Sequence, residues 1–385
     1  MKGVKVRVLL FFLLLIFICS TIAWAQAEDD LASGIDLSSL EAATRNLERE
    51  IGALAPELNL HALLDEIRNQ GGLDWKVFLQ TIGRYLIREV TASSTVLGQL
   101  LLVVVLAAVL VTIEKSFKAT GVARIAEAVL FLAIMGFAIQ SFNIALGTGR
   151  SAINNMVNFM QAILPVLFTL LVATGAVTTA TIFHPLLLGT IAVLGTLTQD
   201  VIFPLLYLAT VLHLVTYLVP EINVGRLASL IQSICAILLG LVLCIFIGVS
   251  AVQGAAAHVA DGISIRSAKF LAASFIPVVG KLFADALEAV VGYTLTLKAG
   301  VNALGMFLIL LLCAFPLLKI LTLILVYKLA AALAEPIADA RVAKCLSDLG
   351  NSMGFVFATV GVVALLFFLA LVIILGVGNL ATLTR

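Results

Sequence analysis

Polar positions are rare after residue 95, and where they fall divides the chain. Val96 to Ile113 is the first apolar run long enough to cross a bilayer, and a second extends from about Ala126 to Leu146. Arg150, Asn154, Asn155 and Asn158 come next, then an apolar block from Phe159 to Val219 containing Pro165, Pro185 and Pro204. Its polar break is Gln199-Asp200, and its length suits two or three crossings, with prolines permitting broken or half-length helices. Further runs cover about Leu227 to Val249, Val301 to Leu333 (interrupted by Pro316 and Lys319) and Gly354 to Gly378. The pattern predicts an all-α, polytopic helical membrane protein with about seven or eight hydrophobic segments. The parity of the crossings, and with it the side of the C-terminus, stays open.

The one departure inside the greasy region lies between Ser264 and Gly300. Arg266, Lys269, Lys281, Asp285, Glu288 and Lys298 all occur there. From Pro277 onward the spacing is helical, with Val279, Leu282, Phe283, Ala286, Leu287 and Val290 on one face. Lys281, Asp285, Glu288 and Gly292 fall on the opposite face. Charge at membrane depth is costly and faces protein or water. The stretch is then either an amphipathic helix on the membrane surface with a solvated stripe, or a polar element inside a membrane assembly.

Before residue 95 the pattern changes. Lys2, Lys5 and Arg7 precede an apolar run from Val8 to Cys19 and then Ala23-Trp24-Ala25. These are the parts of a signal peptide (residues 1–25) cleaved after Ala25; the other reading is an uncleaved anchor. Either way the basic N-terminus stays in the cytoplasm and the segment beyond the apolar run is exported. Residues 26–94 read as a small extracytoplasmic helical domain. Ser38 and Glu41 form a capping box, Pro56 interrupts, Gly71-Gly72 turns, and Trp75, Phe78, Leu79, Ile82 and Leu86 share a face. So short a segment makes a marginal core and should lean on the membrane part, residues 95–385, or on a partner. The loop after the first span carries Lys115, Lys118 and Arg124, as a cytoplasmic loop should.

The chain also resembles itself at an offset of 112 residues. Phe203-Pro204-Leu205-Leu206 matches Phe315-Pro316-Leu317-Leu318, and Pro165-Val166 matches Pro277-Val278. Leu170, Thr210 and Gly136 match Leu282, Thr322 and Gly248. An internal repeat near 126–237 and 238–350 is a device of transporters and channels.

Composition narrows the function. With 62% hydrophobic and 12% charged residues and a mean hydropathy of +1.18, the chain lies far from soluble proteins, of which about 25% of residues are charged. A net charge of +1 excludes a broad electrostatic footprint for nucleic acid. The five cysteines show no metal-ligand or disulfide spacing, and the three inside apolar blocks read as small buried hydrophobes. There is no H-E-x-x-H, G-x-S-x-G or phosphate loop, and Gly280-Lys281 lacks the upstream glycine and following hydroxyl. His61, His184, His213 and His258 are scattered. No catalytic residue, cofactor or metal is expected, and the chain does not read as an enzyme.

Taken together, Ser264-Ile265-Arg266, Ala268-Lys269-Phe270, Phe275 to Gly280, Asp285-Ala286 and Lys298-Ala299-Gly300 resemble the stage III sporulation protein AE family. A weaker likeness lies at Pro336, Asp339, Arg341, Cys345-Leu346 and Gly350. The resemblance implies a multi-pass protein of the mother-cell membrane around the forespore. Its implied partners are other stage III sporulation membrane proteins and a forespore-membrane protein across the intermembrane space. It implies a non-enzymatic subunit of a secretion-like channel complex needed for late forespore development. It supplies no catalytic residues. Its densest part coincides with the charged stretch, so Arg266, Lys269, Pro277, Gly280, Lys281, Asp285, Glu288 and Lys298 become candidates for an interface or pathway. A secondary transporter of a small molecule is the competing function, and a purely structural anchor a third.

Overall fold

The computed structural model describes residues 122–383 except 175, 219–223 and 276–279, with Gly83 and parts of 87–109. Side chains are described within this range except at 122–128, 130, 254–291, 293, 296–299, 303, 304 and 375–383. Among the described residues there is no strand. Six long helices succeed one another: α1 (Val122–Ala173), α2 (Val177–Thr196), α3 (Phe203–Leu218), α4 (Gly225–Phe275), α5 (Gly280–Ala334) and α6 (Ala340–Leu383). A π-helical segment, Leu197–Ile202, joins α2 to α3. Among the described residues, five stretches are long and apolar enough to cross a membrane: Phe131–Ala173, Val177–Leu218, Gly225–Gln253, Gly300–Ala334 and Ala340–Ile374. A shorter apolar helix, Leu97–Leu106, falls in the first predicted span, and its Leu100 and Val104 are fully buried. The signal peptide and most of the 26–94 domain lie outside the described residues.

Helix continuity exceeds what the pattern suggested. The predicted spans from 126 and from 159 are one helix, because the polar run between them contains no helix breaker. At 52 residues α1 is about 78 Å long, more than twice the hydrocarbon thickness. Pro165, Pro185 and Pro316 sit inside continuous α-helices. Only Pro204 coincides with a change of helix type. Its ring has no N–H and crowds the carbonyl of Asp200. The preceding turn relaxes into wider hydrogen bonding, in which the Phe203 N–H donates to the Thr198 carbonyl. The described reversal within 159–219 comes at Thr174, whose hydroxyl donates to the Leu171 carbonyl (2.7 Å). The matched Phe203 and Phe315 are both buried, and Thr210 and Thr322 both bond back to the carbonyl four residues earlier. Their prolines differ: one adjoins the π segment, the other lies mid-helix.

Small residues and polar ties set the axial register. The buried Tyr327 hydroxyl of α5 donates to the Phe137 carbonyl of α1 (3.0 Å). Gly149 lies against Val356 and Val360 of α6 and Phe203 of α3. A Cβ on Gly305 would stand 2.5 Å from the Ile163 Cδ1 and 3.4 Å from Leu371, so a larger residue would make the end of the Ile163 side chain move where α1, α5 and α6 meet. Asn302, fully buried, donates to the Leu371 carbonyl (2.8 Å). These pairs run α5 antiparallel to α1 and α6, and α1 parallel to α6. Between the Phe137 and Ile163 levels lies a slab about 39 Å deep.

Candidate functional site: a polar cluster joining four helices

At the Tyr327 end of that slab the interior turns polar. The local reason begins with how α6 starts. Pro336 lies just past the end of α5, and Asp339 caps α6. Its carboxylate accepts the Arg341 N–H (3.0 Å) and the Arg341 side chain (3.0 Å). That start turns Cys345, Leu346 and Leu349 into the core and brings Ser347, Asp348, Asn351 and Ser352 toward α3, α4 and α5.

Lys328 of α5 is the cation of the cluster. Its ammonium donates to the Ser347 carbonyl (2.9 Å), the Ser347 hydroxyl (3.0 Å) and the Asn351 amide oxygen (2.7 Å). The Asn351 amide in turn donates to the Asp348 carboxylate (3.3 Å), so it stands between the two charges. The other Asp348 oxygen accepts the Tyr217 hydroxyl of α3. Ser352 donates to the Asp348 carbonyl (3.0 Å) and accepts from Gln232 of α4 (3.1 Å), both residues being buried. Beside them, His213 of α3 lies 3.4 Å from the Ser229 hydroxyl of α4. Gly350 makes room for the Lys328 stem: a Cβ there would lie 3.3 to 3.5 Å from three of its methylenes. Four helices are thereby tied through one acid and one base.

Chemically, the cluster neutralises its own charges, as an apolar environment demands. Two hydroxyls lie beside basic groups, Ser347 at 3.0 Å from Lys328 and Ser229 at 3.4 Å from His213, and Asn351 also engages the Lys328 ammonium. Cys345 is buried within its helix, and among the described residues no group of three or more His, Cys, Asp or Glu side chains is placed to hold a metal. A second polar spot lies on α1 and the π segment, where the Gln199 amide donates to Asn154 and Arg150 reaches the Gln199 carbonyl (3.4 Å).

The sequence-derived candidates fall elsewhere. Arg266 and Lys269 lie on the later turns of α4. Gly280 opens α5, and Lys281, Asp285, Glu288 and Lys298 are carried further along it. Pro277 lies outside the described residues, as do the side chains of the other seven. The charged stretch is therefore carried by helical continuations of two membrane helices. Lys298 stands about 45 Å along α5 from Lys328, so the stretch and the cluster are separate places. Lys328, Asp348, Asn351, Tyr217 and Gln232 did not stand out in sequence. Two signals were present: a lone lysine near the end of an apolar run, and polar groups spaced by four at Ser347/Asn351 and Asp348/Ser352. The second, weaker family likeness does fall on this site, at Pro336, Asp339, Arg341, Cys345-Leu346 and Gly350.

Comparison with known proteins agrees with that likeness. The family model described as stage III sporulation protein AE matches residues 58–378. Stage III sporulation protein AE of Bacillus subtilis (strain 168) is 33% identical over 360 residues, covering 94% of this chain and 90% of that protein. No solved structure matches. The chain belongs to the stage III sporulation protein AE family.

Proposed function

We propose that this protein is a non-enzymatic, multi-pass membrane subunit of a secretion-like channel complex that joins mother cell and forespore and sustains late forespore development. Family membership ties the chain to sporulation. The observation that carries the rest is the construction of the bundle. Its helices present mainly apolar outer faces, and the acid and base of the cluster are linked through Asn351 and tie the surrounding helices together. On this reading the chain sits in the mother-cell membrane with residues 26–94 between the two membranes. Its partners are other stage III membrane proteins and, across the gap, a forespore-membrane protein. Arg266, Lys269, Pro277, Gly280, Lys281, Asp285, Glu288 and Lys298, along the stretch from α4 into α5, serve as interface or pathway residues.

The test is deletion and complementation in a sporulating host, with a late forespore reporter and affinity purification of the tagged chain from sporulating membranes. Loss of the late reporter, together with recovery of other sporulation membrane proteins, is expected. Recovery of the chain alone at full sporulation would overturn the complex. Neutralising Lys281, Asp285 and Glu288 together is expected to stop late reporter expression, by blocking a pathway if the complex still forms and by breaking an interface if it does not. Normal spores from that variant would remove both roles from the face. One observation favours a secondary transporter instead. The π segment with Gln199 and Asp200 interrupts a membrane helix, as substrate sites of transporters do. Uptake by the purified chain in vesicles separates that reading.

A further inference from the structure

The outward face of α1 contradicts its surroundings. From one end of the slab to the other its exposed positions include Gln140, Asn143, Gly147, Arg150, Asn154, Asn158 and Gln161. The steps are three or four residues, so they form one stripe about 32 Å long, close to the thickness of a bilayer core. Contacts to Phe203, Tyr327, Val356, Gly305 and Leu371 place this length of α1 beside the membrane-crossing parts of α3, α5 and α6. The outward faces of the other helices are greasy at these levels: Leu208 on α3, Ile237 and Leu241 on α4, Leu325 on α5. Asn154 and Arg150 also touch Gln199 of the adjoining π segment, but lipid cannot satisfy the remaining amides or the rest of the guanidinium, so the stripe must meet protein or water.

The chemistry of the stripe selects the occupant. Asparagine and glutamine each carry donors and acceptors, so a face made of them satisfies a copy of itself. Its charged groups are Arg150 and, exposed on the adjoining π segment, Asp200. Two copies in contact therefore bring one cation and one anion each, with no charge left over. Gly147 lies mid-stripe with open space where a Cβ would be, which lets a second backbone come close. We propose that copies of this chain associate in the membrane through the polar stripe of α1, enclosing a hydrated seam of amides. The proposal needs the membrane but not the sporulation complex, and so goes beyond the functional reading above.

The test uses the full chain in the membranes of a non-sporulating bacterial host, with all five native cysteines replaced. Single cysteines are introduced as Asn143→Cys and Asn158→Cys on the stripe and Ile237→Cys on the lipid-facing side of α4. Mild oxidation is expected to give disulfide-linked dimers for the two stripe variants and monomer for I237C. Dimers from I237C with monomer from the stripe would overturn the proposal, as would monomer from all three. A second readout needs no cysteine. The molar mass of the detergent-solubilised protein by light scattering is expected to fall to that of a monomer in the double variant Asn143→Leu and Asn158→Leu. An unchanged mass, or a monomeric wild type, would overturn it.

Discussion

Replacing Lys328 by Met removes the one cation of the cluster while keeping the stem that packs on Gly350. Three acceptors lose their donor: the Ser347 carbonyl, the Ser347 hydroxyl and the Asn351 amide oxygen. Hydrogen bonds to charged groups contribute about 1.5–3 kcal/mol each in soluble proteins, but those between membrane helices average nearer 0.6. Lys328 is also only half-buried, so the lower figure governs and the loss should be about 2 kcal/mol. The charge term can be isolated. Lys328 and Asp348 are both bonded to Asn351, which stands between them, and a partly exposed pair of opposite charges so linked attracts by about 1 kcal/mol. A double-mutant cycle of K328M and D348N, followed by helix content during equilibrium unfolding in mixed micelles, reads that coupling directly. The double variant should be less destabilised than the sum of the singles by about 1 kcal/mol. Strict additivity, within about 0.3 kcal/mol, would refute the linkage through Asn351.

Other consequences are simpler. Gly350→Leu cannot keep the Lys328 stem in place and should reproduce most of the K328M destabilisation, whereas Gly350→Ala, needing a shift of a few tenths of an ångström, should stay within about 1 kcal/mol of wild type in the same unfolding assay. Asp339→Ala removes the cap of α6 and should cost about 1 kcal/mol, with Asp339→Asn retaining most of it. Pro204→Ala returns an N–H to the Asp200 carbonyl, so the π segment should tighten to α-helix and rotate Gln199 off Asn154. The yield of an engineered N154C/Q199C disulfide should fall with it. In detergent, with Cys19 replaced, a maleimide should modify exposed Cys244 quickly and reach Cys235, Cys313 and Cys345 only on unfolding.

The parts of the fold that could be read without coordinates are those set by local interactions. Long apolar runs mark membrane helices because the bilayer demands them, and the described spans fall where the runs are. Continuity was harder to read. The Arg150 to Asn158 segment looks like a loop by polarity, yet its polar residues recur every three or four positions and mark a helix with one wet face. The cluster was hidden for a different reason. Tyr217 and Asp348 are 131 residues apart, and Gln232 and Ser352 are 120 apart, so only tertiary packing unites them. Asp339 and Pro336 were legible as pieces of the family likeness, but their work as helix stop and cap shows only once α5 and α6 are seen side by side. The charged stretch from Arg266 to Lys298 read as helical from Pro277 onward, and α5 does begin at Gly280.

The measurement closest to the central claim is the count of heat-resistant spores from cells whose only copy of the gene carries D348N, K328M or both. If the cluster ties helices in a channel subunit, each single change leaves an unbalanced charge and lowers the count. Removing both charges should then restore much of it. If the acid and base instead carry out proton transfer or chemistry, the double variant will sporulate no better than the worse single, and the non-enzymatic, structural account of the site fails.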